Sequence, residues 1–148
     1  MVCIHKGKEM ETGKTVIGFY FQQHREDGEL EHMIRSLADP GKWRDYMIEL
    51  ESLCMYTGKD RKDGQKIWEN DGVQYHFDEN IVGIIRFGEY QNCFDSSSCY
   101  HVGFYVDWGN SKRSNMRKDL GYWIDVIGAT VISDNEEKTW NEKKSRNS

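Results

Sequence analysis

A chain of 148 residues with 20 Lys and Arg against 25 Asp and Glu, formal net charge −5, is long enough for one domain with a buried core, and its acidity works against wholesale phosphate binding. An aromatic content of 13% and several apolar runs argue for that core in spite of a mean hydropathy of −0.82. No run approaches the ~18 apolar residues needed to span a bilayer, and MVCIHKGKEM has no apolar signal core, so a soluble, cytoplasmic protein is expected.

Residues 3 to 22 read as a β-hairpin, CIH and TVIGFYF around the turn-forming KGKEMETGK, with Ile17, Phe19 and Phe21 on one face. Leu30, Met33, Ile34 and Leu37 then fall at i, i+3, i+4 and i+7, which predicts a helical insertion over about residues 29–46, interrupted at Asp39-Pro40-Gly41 and continued by an amphipathic connector with Trp43 and Tyr46. The block YTGKDRKDGQKIWENDGV, Tyr56 to Val73, packs two turns around the pair Ile67-Trp68.

A β-meander is expected next. Val73, Tyr75 and Phe77 alternate with polar residues, Asp78-Glu79-Asn80 supplies a turn, and IVGIIRF reads as a central strand. In YHVGFYVDW the residues Tyr100, Val102, Phe104, Val106 and Trp108 share a face opposite His101, Tyr105 and Asp107. Ser114 is placed to cap a short helix stopping at Gly121, WIDVIGATVI reads as a final strand bent at Gly128, and residues 134–148 form a charged tail expected to fray. The predicted core is Phe19, Phe21, Ile85, Phe87, Phe104, Val106 and Val126.

Residues that could carry chemistry are few. Cys3, Cys54, Cys93 and Cys99 form no C-x-x-C pair, although Cys93 and Cys99 flank FDSSS and could meet across a hairpin; neither they nor the five histidines show ligand spacing, so no metal and no cofactor is expected. His76 and His101 lie out of phase with the apolar sets of their strands, on a common exterior face if those strands are neighbours. Glu69 and Asp71 could serve as an acid–base pair, but turn chemistry with Asp71 accepting backbone N–H groups accounts for them more simply. Lys112, Arg113, Arg117 and Lys118 are the candidates for a phosphate contact, without the interleaved aromatics of a nucleic-acid groove.

The hairpin KGKEMETGKTVIGFYF, YTG followed by DGQKIWENDGV, and the segments IVGIIRFGEY, HVGFYVDW and RKDLGYWIDVIGATV together resemble the YopX-like family of phages and prophages. The resemblance covers most of the chain and implies a mainly β fold, a small SH3-like β-barrel with an added N-terminal hairpin and helix, in a single domain over 1–133. It implies no activity. The chain departs from the family pattern at Arg61, Asn70, Gly72, Ala129 and Val131; Asn70 stands where the family has a glycine, and Asn tolerates a left-handed turn. The expected function is that of a non-enzymatic accessory binding module. Its partner would be a host or phage protein met through an exposed edge or an aromatic rim with Trp68 and Tyr105, self-association being the simplest version. A nucleic-acid module using loop 112–118 is the alternative, and an enzyme using Glu69 and Asp71 the remote one.

Overall fold

The computed structural model describes residues 3–39, 41–109 and 116–133. The chain divides into two compact units, Met1–Gly58 and Lys59–Ser148. It is mainly β, as the alternating segments imply, but the strands form two antiparallel sheets and not one closed barrel.

In the first unit β1 (His5–Lys8) and β2 (Thr15–His24) make the expected hairpin, with Lys6 opposite Ile17. The predicted helix over 29–46 is absent. Its place is taken by β3 (Leu30–Asp39) and β4 (Lys42–Met47), which extend the sheet with Phe21 opposite Met33 and Met33 opposite Met47. The overriding signal is Asp27-Gly28: Gly28 sits at φ +87°, the Arg25 N–H donates to the Glu29 carbonyl at 2.8 Å, and the turn sends the chain back along β2 before a helix can nucleate. Asp39 pairs with Lys42, so the chain closes a second hairpin here in place of ending a helix. A short 3₁₀ turn at Leu50–Ser52 leads into β5 (Cys54–Asp60), which pairs with β1 through Met55 opposite His5, giving the order β4-β3-β2-β1-β5.

Ile34 and Ile48 are buried inside this unit, where the backbones come close. A Cβ on Gly7 would sit 2.3 Å from Ile48 Cγ2, and one on Gly18 would sit 2.2 Å from the Arg35 carbonyl oxygen.

In the second unit a turn through Asp63-Gly64 leads to β6 (Lys66–Trp68). Then β7 (Gly72–Tyr75), β8 (Asp78–Tyr90) and β9 (His101–Asp107) form the expected meander, and β10 (Val131–Ile132) returns beside β7. The β7–β8 turn is His76-Phe77, two residues earlier than Asp78-Glu79-Asn80, because Tyr75 already pairs with Asp78. The predicted final strand is mostly helical: Tyr122–Val126 is a π-helix, and only Val131–Ile132 remains extended. Ser114 and the charged tail over 134–148 lie outside the described residues.

The core of this unit is Ile67, Val73, Ile85, Val106, Trp108, Leu120, Trp123 and Val131. Ile85 and Val106 are where the strand phase places them, whereas Phe19 and Phe87 are more than two-fifths exposed and Val126 is 71% exposed. The phase along β8 and β9 is right and the covering layer is short. Ile85 opposite Val106 is buried, Phe87 opposite Phe104 is partly covered, and Glu89 opposite Val102 is in solvent, a gradient along a ribbon that outruns the layer packed on it. Val126 misses the core because the chain there is helical, so its side chain no longer follows the alternation that a strand would impose.

The Asp63-Gly64 turn gives a local test. Gly64 has φ +86° with open space around it, so Gly64→Val should cost about 1–3 kcal/mol through backbone strain alone, while Glu69→Gln should stay within about 0.5 kcal/mol. Thermal melts of the two variants check the contrast, and loss of a measured function in Glu69→Gln at an unchanged melting temperature would make Glu69 a site residue.

Candidate functional site

The outer face of the β2–β3–β4 sheet exposes several large apolar side chains, although Met33 on the same face is buried. Alternation and register put Ile17, Phe19 and Phe21, then Met33, Arg35 and Leu37, then Trp43, Asp45 and Met47 on it. Ile17, Phe19, Leu37 and Trp43 are all exposed, Trp43 at 56%, and the Phe19 and Trp43 rings stand 6.0 Å apart. At the centre Arg35 makes a two-pronged ion pair with Asp45, at 2.8 and 3.0 Å, and its guanidinium lies 5.3 Å from the Phe21 ring. The hydrogen bond from Arg35 holds the Asp45 carboxyl below its ordinary range. The sequence hid this face, because it read Phe19 and Phe21 as core and Leu37 as part of a helical stripe; the Asp27-Gly28 hairpin signal was the means of finding it.

In the second unit a cleft of about 390 Å³ lies between the Asp60–Asp63 turn and the residues that follow the π-helix. Ile67, Ile124 and Val131 supply apolar walls, and Lys62 leans across, its Nζ 3.6 Å from where a Cβ of Gly128 would be. Two segments distant in the chain, residues 60–67 and 124–131, thus face each other here. The lining mixes charges of both signs.

Glu69 and Asp71 lie on one turn of the chain. Asp71 is buried and its Oδ2 accepts the Trp68 N–H at 2.9 Å, while its carbonyl accepts the Ile85 N–H at 2.9 Å. Asn70 has φ +75°, a left-handed conformation that Asn adopts more readily than other residues with a side chain, and its own N–H donates to the Ile85 carbonyl. The Glu69–Asp71 stretch is a turn clamped onto β8. Trp68 is buried beside it, at 6% exposure.

Tyr105 is half-buried. It stacks on Tyr90 at 5.2 Å, and Tyr90 stacks on His101 at 5.1 Å, across a position where Gly88 faces Gly103 and leaves room for the rings to meet. Burial, then the charges of Asp119 and Asp95, push the Tyr90 phenol up. His76 sits at the β7–β8 turn and His101 pairs with Tyr90 at the far end of β8, so no common histidine face forms.

Of the basic candidates, Lys112 and Arg113 lie outside the described residues. Arg117 donates from Nε to Asp119 Oδ1 at 2.7 Å and spreads its guanidinium 4.6 Å from the Tyr122 ring centre. The Arg117 carbonyl accepts from both indoles, Trp123 at 2.7 Å and Trp108 at 3.1 Å, and the Lys118 carbonyl accepts the Val106 N–H. These residues tie the 116–122 segment to β9. Buried Asn92 completes the tie by donating to Asp119 and accepting the Lys118 N–H at 2.6 Å.

Burial alone would raise the Asp119 carboxyl, but the Arg117 hydrogen bond, its own backbone N–H and Asn92 outweigh it and hold the group below its ordinary value of 3.8. A carboxyl depressed on folding stabilises the fold fully above its unfolded value, and the contribution is lost as pH falls through the folded one. Stability should therefore fall as the pH is lowered out of the ordinary carboxylate range, and Asp119→Asn should lose less on that descent than the parent; urea melts at a series of acidic pH values measure the difference.

The β8–β9 loop also gathers Asp95, Cys99 and His101, whose donor atoms lie within 4.8 Å of one another. Cys93 and Cys99 are both free thiols. No helix among the described residues is long and apolar enough to cross a membrane. No protein-family model matches the chain, and neither the curated proteins nor the solved structures contain a match to it.

Proposed function

We propose that this protein is a non-enzymatic binding module of the YopX-like kind, a phage or prophage accessory protein of the cytoplasm, and that it works by self-association through the outer face of its β2–β3–β4 sheet. The observation that carries the reading is the exposure of Ile17, Phe19, Leu37 and Trp43 on one face, where a lone protein would place polar side chains. The occupant is argued from charge. At its centre the face bears a paired cation and anion, Arg35 and Asp45, flanked by apolar residues, with Glu31 nearer one end beside Arg25, so two copies related by a two-fold axis can bury the apolar parts while presenting the opposite central charges to each other.

The SH3-like relationship rests on the resemblance; the β7–β8–β9 meander, with its last strand back beside β7, is compatible with it. The nucleic-acid alternative is weakened by the pairing of Arg117 with Asp119, and the enzymatic one by the burial of Asp71 within its turn.

The test is the oligomeric state by light scattering on a sizing column over a hundred-fold concentration range. A dimer that Trp43→Ser and Leu37→Lys both convert to monomer, with little change in melting temperature, supports the reading. A monomeric parent at every concentration, or a dimer indifferent to both changes, overturns self-association through this face.

A further inference from the structure

Three side chains of different chemistry converge where β8 hands over to β9. Asp95 and Cys99 lie on the connecting loop and His101 is the first residue of β9. Asp95 Oδ2 and His101 Nε2 are 2.9 Å apart, and Cys99 completes a group whose donor atoms all lie within 4.8 Å. Each is positioned by a separate contact. The Asn92 N–H donates to Asp95 Oδ2 at 2.8 Å, the Cys99 N–H donates to the Ser96 carbonyl at 2.9 Å, and the His101 ring lies stacked on Tyr90. Two successive tight turns, Asn92 to Asp95 and Ser96 to Cys99, therefore aim the donors at one point.

We propose that Asp95, Cys99 and His101 form a binding site for a divalent transition-metal ion of the zinc type. The donor set decides the class: one sulfur, one imidazole nitrogen and one carboxylate oxygen suit a borderline-soft ion, whereas magnesium or calcium would call for oxygens throughout. Metal–donor distances of roughly 2.0–2.3 Å put the donors of a tetrahedral site about 3.5 Å apart, so the present spread closes with a small side-chain rotation.

Binding displaces the proton between His101 and Asp95 and the proton on the Cys99 thiol, both of which leave to solvent; affinity therefore falls as pH is lowered. Three protein ligands leave a fourth position for water. A Cys–His–Asp catalytic relay would instead string thiol and carboxylate on opposite ring nitrogens, farther apart than this cluster allows. The ligand order Asp-x3-Cys-x-His crosses a loop into a strand, which is why a search for paired cysteines or histidines in the sequence passes over it.

The experiment titrates the full chain, stripped with a chelator and kept reduced, with Co²⁺ as a spectroscopic stand-in and then with Zn²⁺. One equivalent of Co²⁺ should bind with a thiolate-to-metal charge-transfer band that Zn²⁺ abolishes. Cys99→Ser should remove the band, His101→Gln and Asp95→Asn should each weaken binding at least ten-fold, and Cys93→Ser should change nothing. Melts of the metal-free variants separate folded from misfolded proteins, and only the folded ones are compared with the parent. Absence of the band in the parent, its survival in folded Cys99→Ser, or its loss in folded Cys93→Ser overturns the proposal.

Discussion

Trp123→Ala should be the most damaging single change in the second unit, costing about 3–5 kcal/mol. Trp123 is almost completely buried, packs edge-on against Trp108 at 4.9 Å, and touches Tyr75 and Tyr122. Truncation would leave a cavity among three aromatic rings and strip one of the two indole donors from the Arg117 carbonyl. Trp123→Phe keeps most of the volume and loses the donor, so it should cost less, about 1–2 kcal/mol. Urea unfolding followed by circular dichroism ranks the two. Equal costs would mean that the hydrogen bond, and not the packing, holds this segment, and two near-neutral results would mean that Trp123 is not core.

Gly18→Val is the corresponding expectation for the first unit, with a cost of roughly 3 kcal/mol. An added Cβ would approach the Arg35 carbonyl oxygen to 2.2 Å, and because that atom is backbone, no side-chain rotation relieves the clash. The strand pair β2–β3 must shift to make room, and with it the pairing that aligns Phe19 with Arg35. Gly28→Ala at the tip of the same hairpin meets no neighbour and should cost only what its φ of +87° imposes, about 1 kcal/mol. A denaturant midpoint for Gly18→Val close to that of Gly28→Ala would contradict the close approach. The pair also bears on the proposed self-association, because a sheet rearranged by Gly18→Val would lose any such association together with stability, whereas Trp43→Ser removes exposed area and should leave the fold in place.

Two segments show how far the amino-acid order alone reaches. Leu30, Met33, Ile34 and Leu37 carry the spacing i, i+3, i+4, i+7, and so do Leu120, Trp123, Ile124 and Ile127. The first set lies on a strand and the second runs through the helical turn, the reverse of the reading that took 29–46 as helix and the end of the chain as strand. A stripe of four apolar residues is compatible with either period; the decision belongs to what each segment can pack against. β3 finds partners on both sides, β2 delivered by the Asp27-Gly28 turn and β4 by the turn at Gly41, and leaves Leu30 and Leu37 exposed as a helix burying its stripe would not. At Leu120 to Ile127 the Arg117 carbonyl accepts the Trp108 indole N–H from the end of β9, and a helical turn is what swings Trp123 back onto the same anchor.

The candidate surfaces divide in the same way. Turn chemistry is local, so the left-handed Asn70, the Asp63-Gly64 hairpin and the structural role of Asp71 follow from residue types in the sequence. Alternation determined which residues of β8 and β9 share a face and pointed to a mainly β chain, and the order of apolar residues leaves no membrane-length run. Whether a face is covered depends on a layer contributed by distant residues. For that reason only the tertiary structure could show Phe19 and Trp43 in solvent, Trp68 buried, and the donor atoms of Asp95, Cys99 and His101 within 4.8 Å of one another.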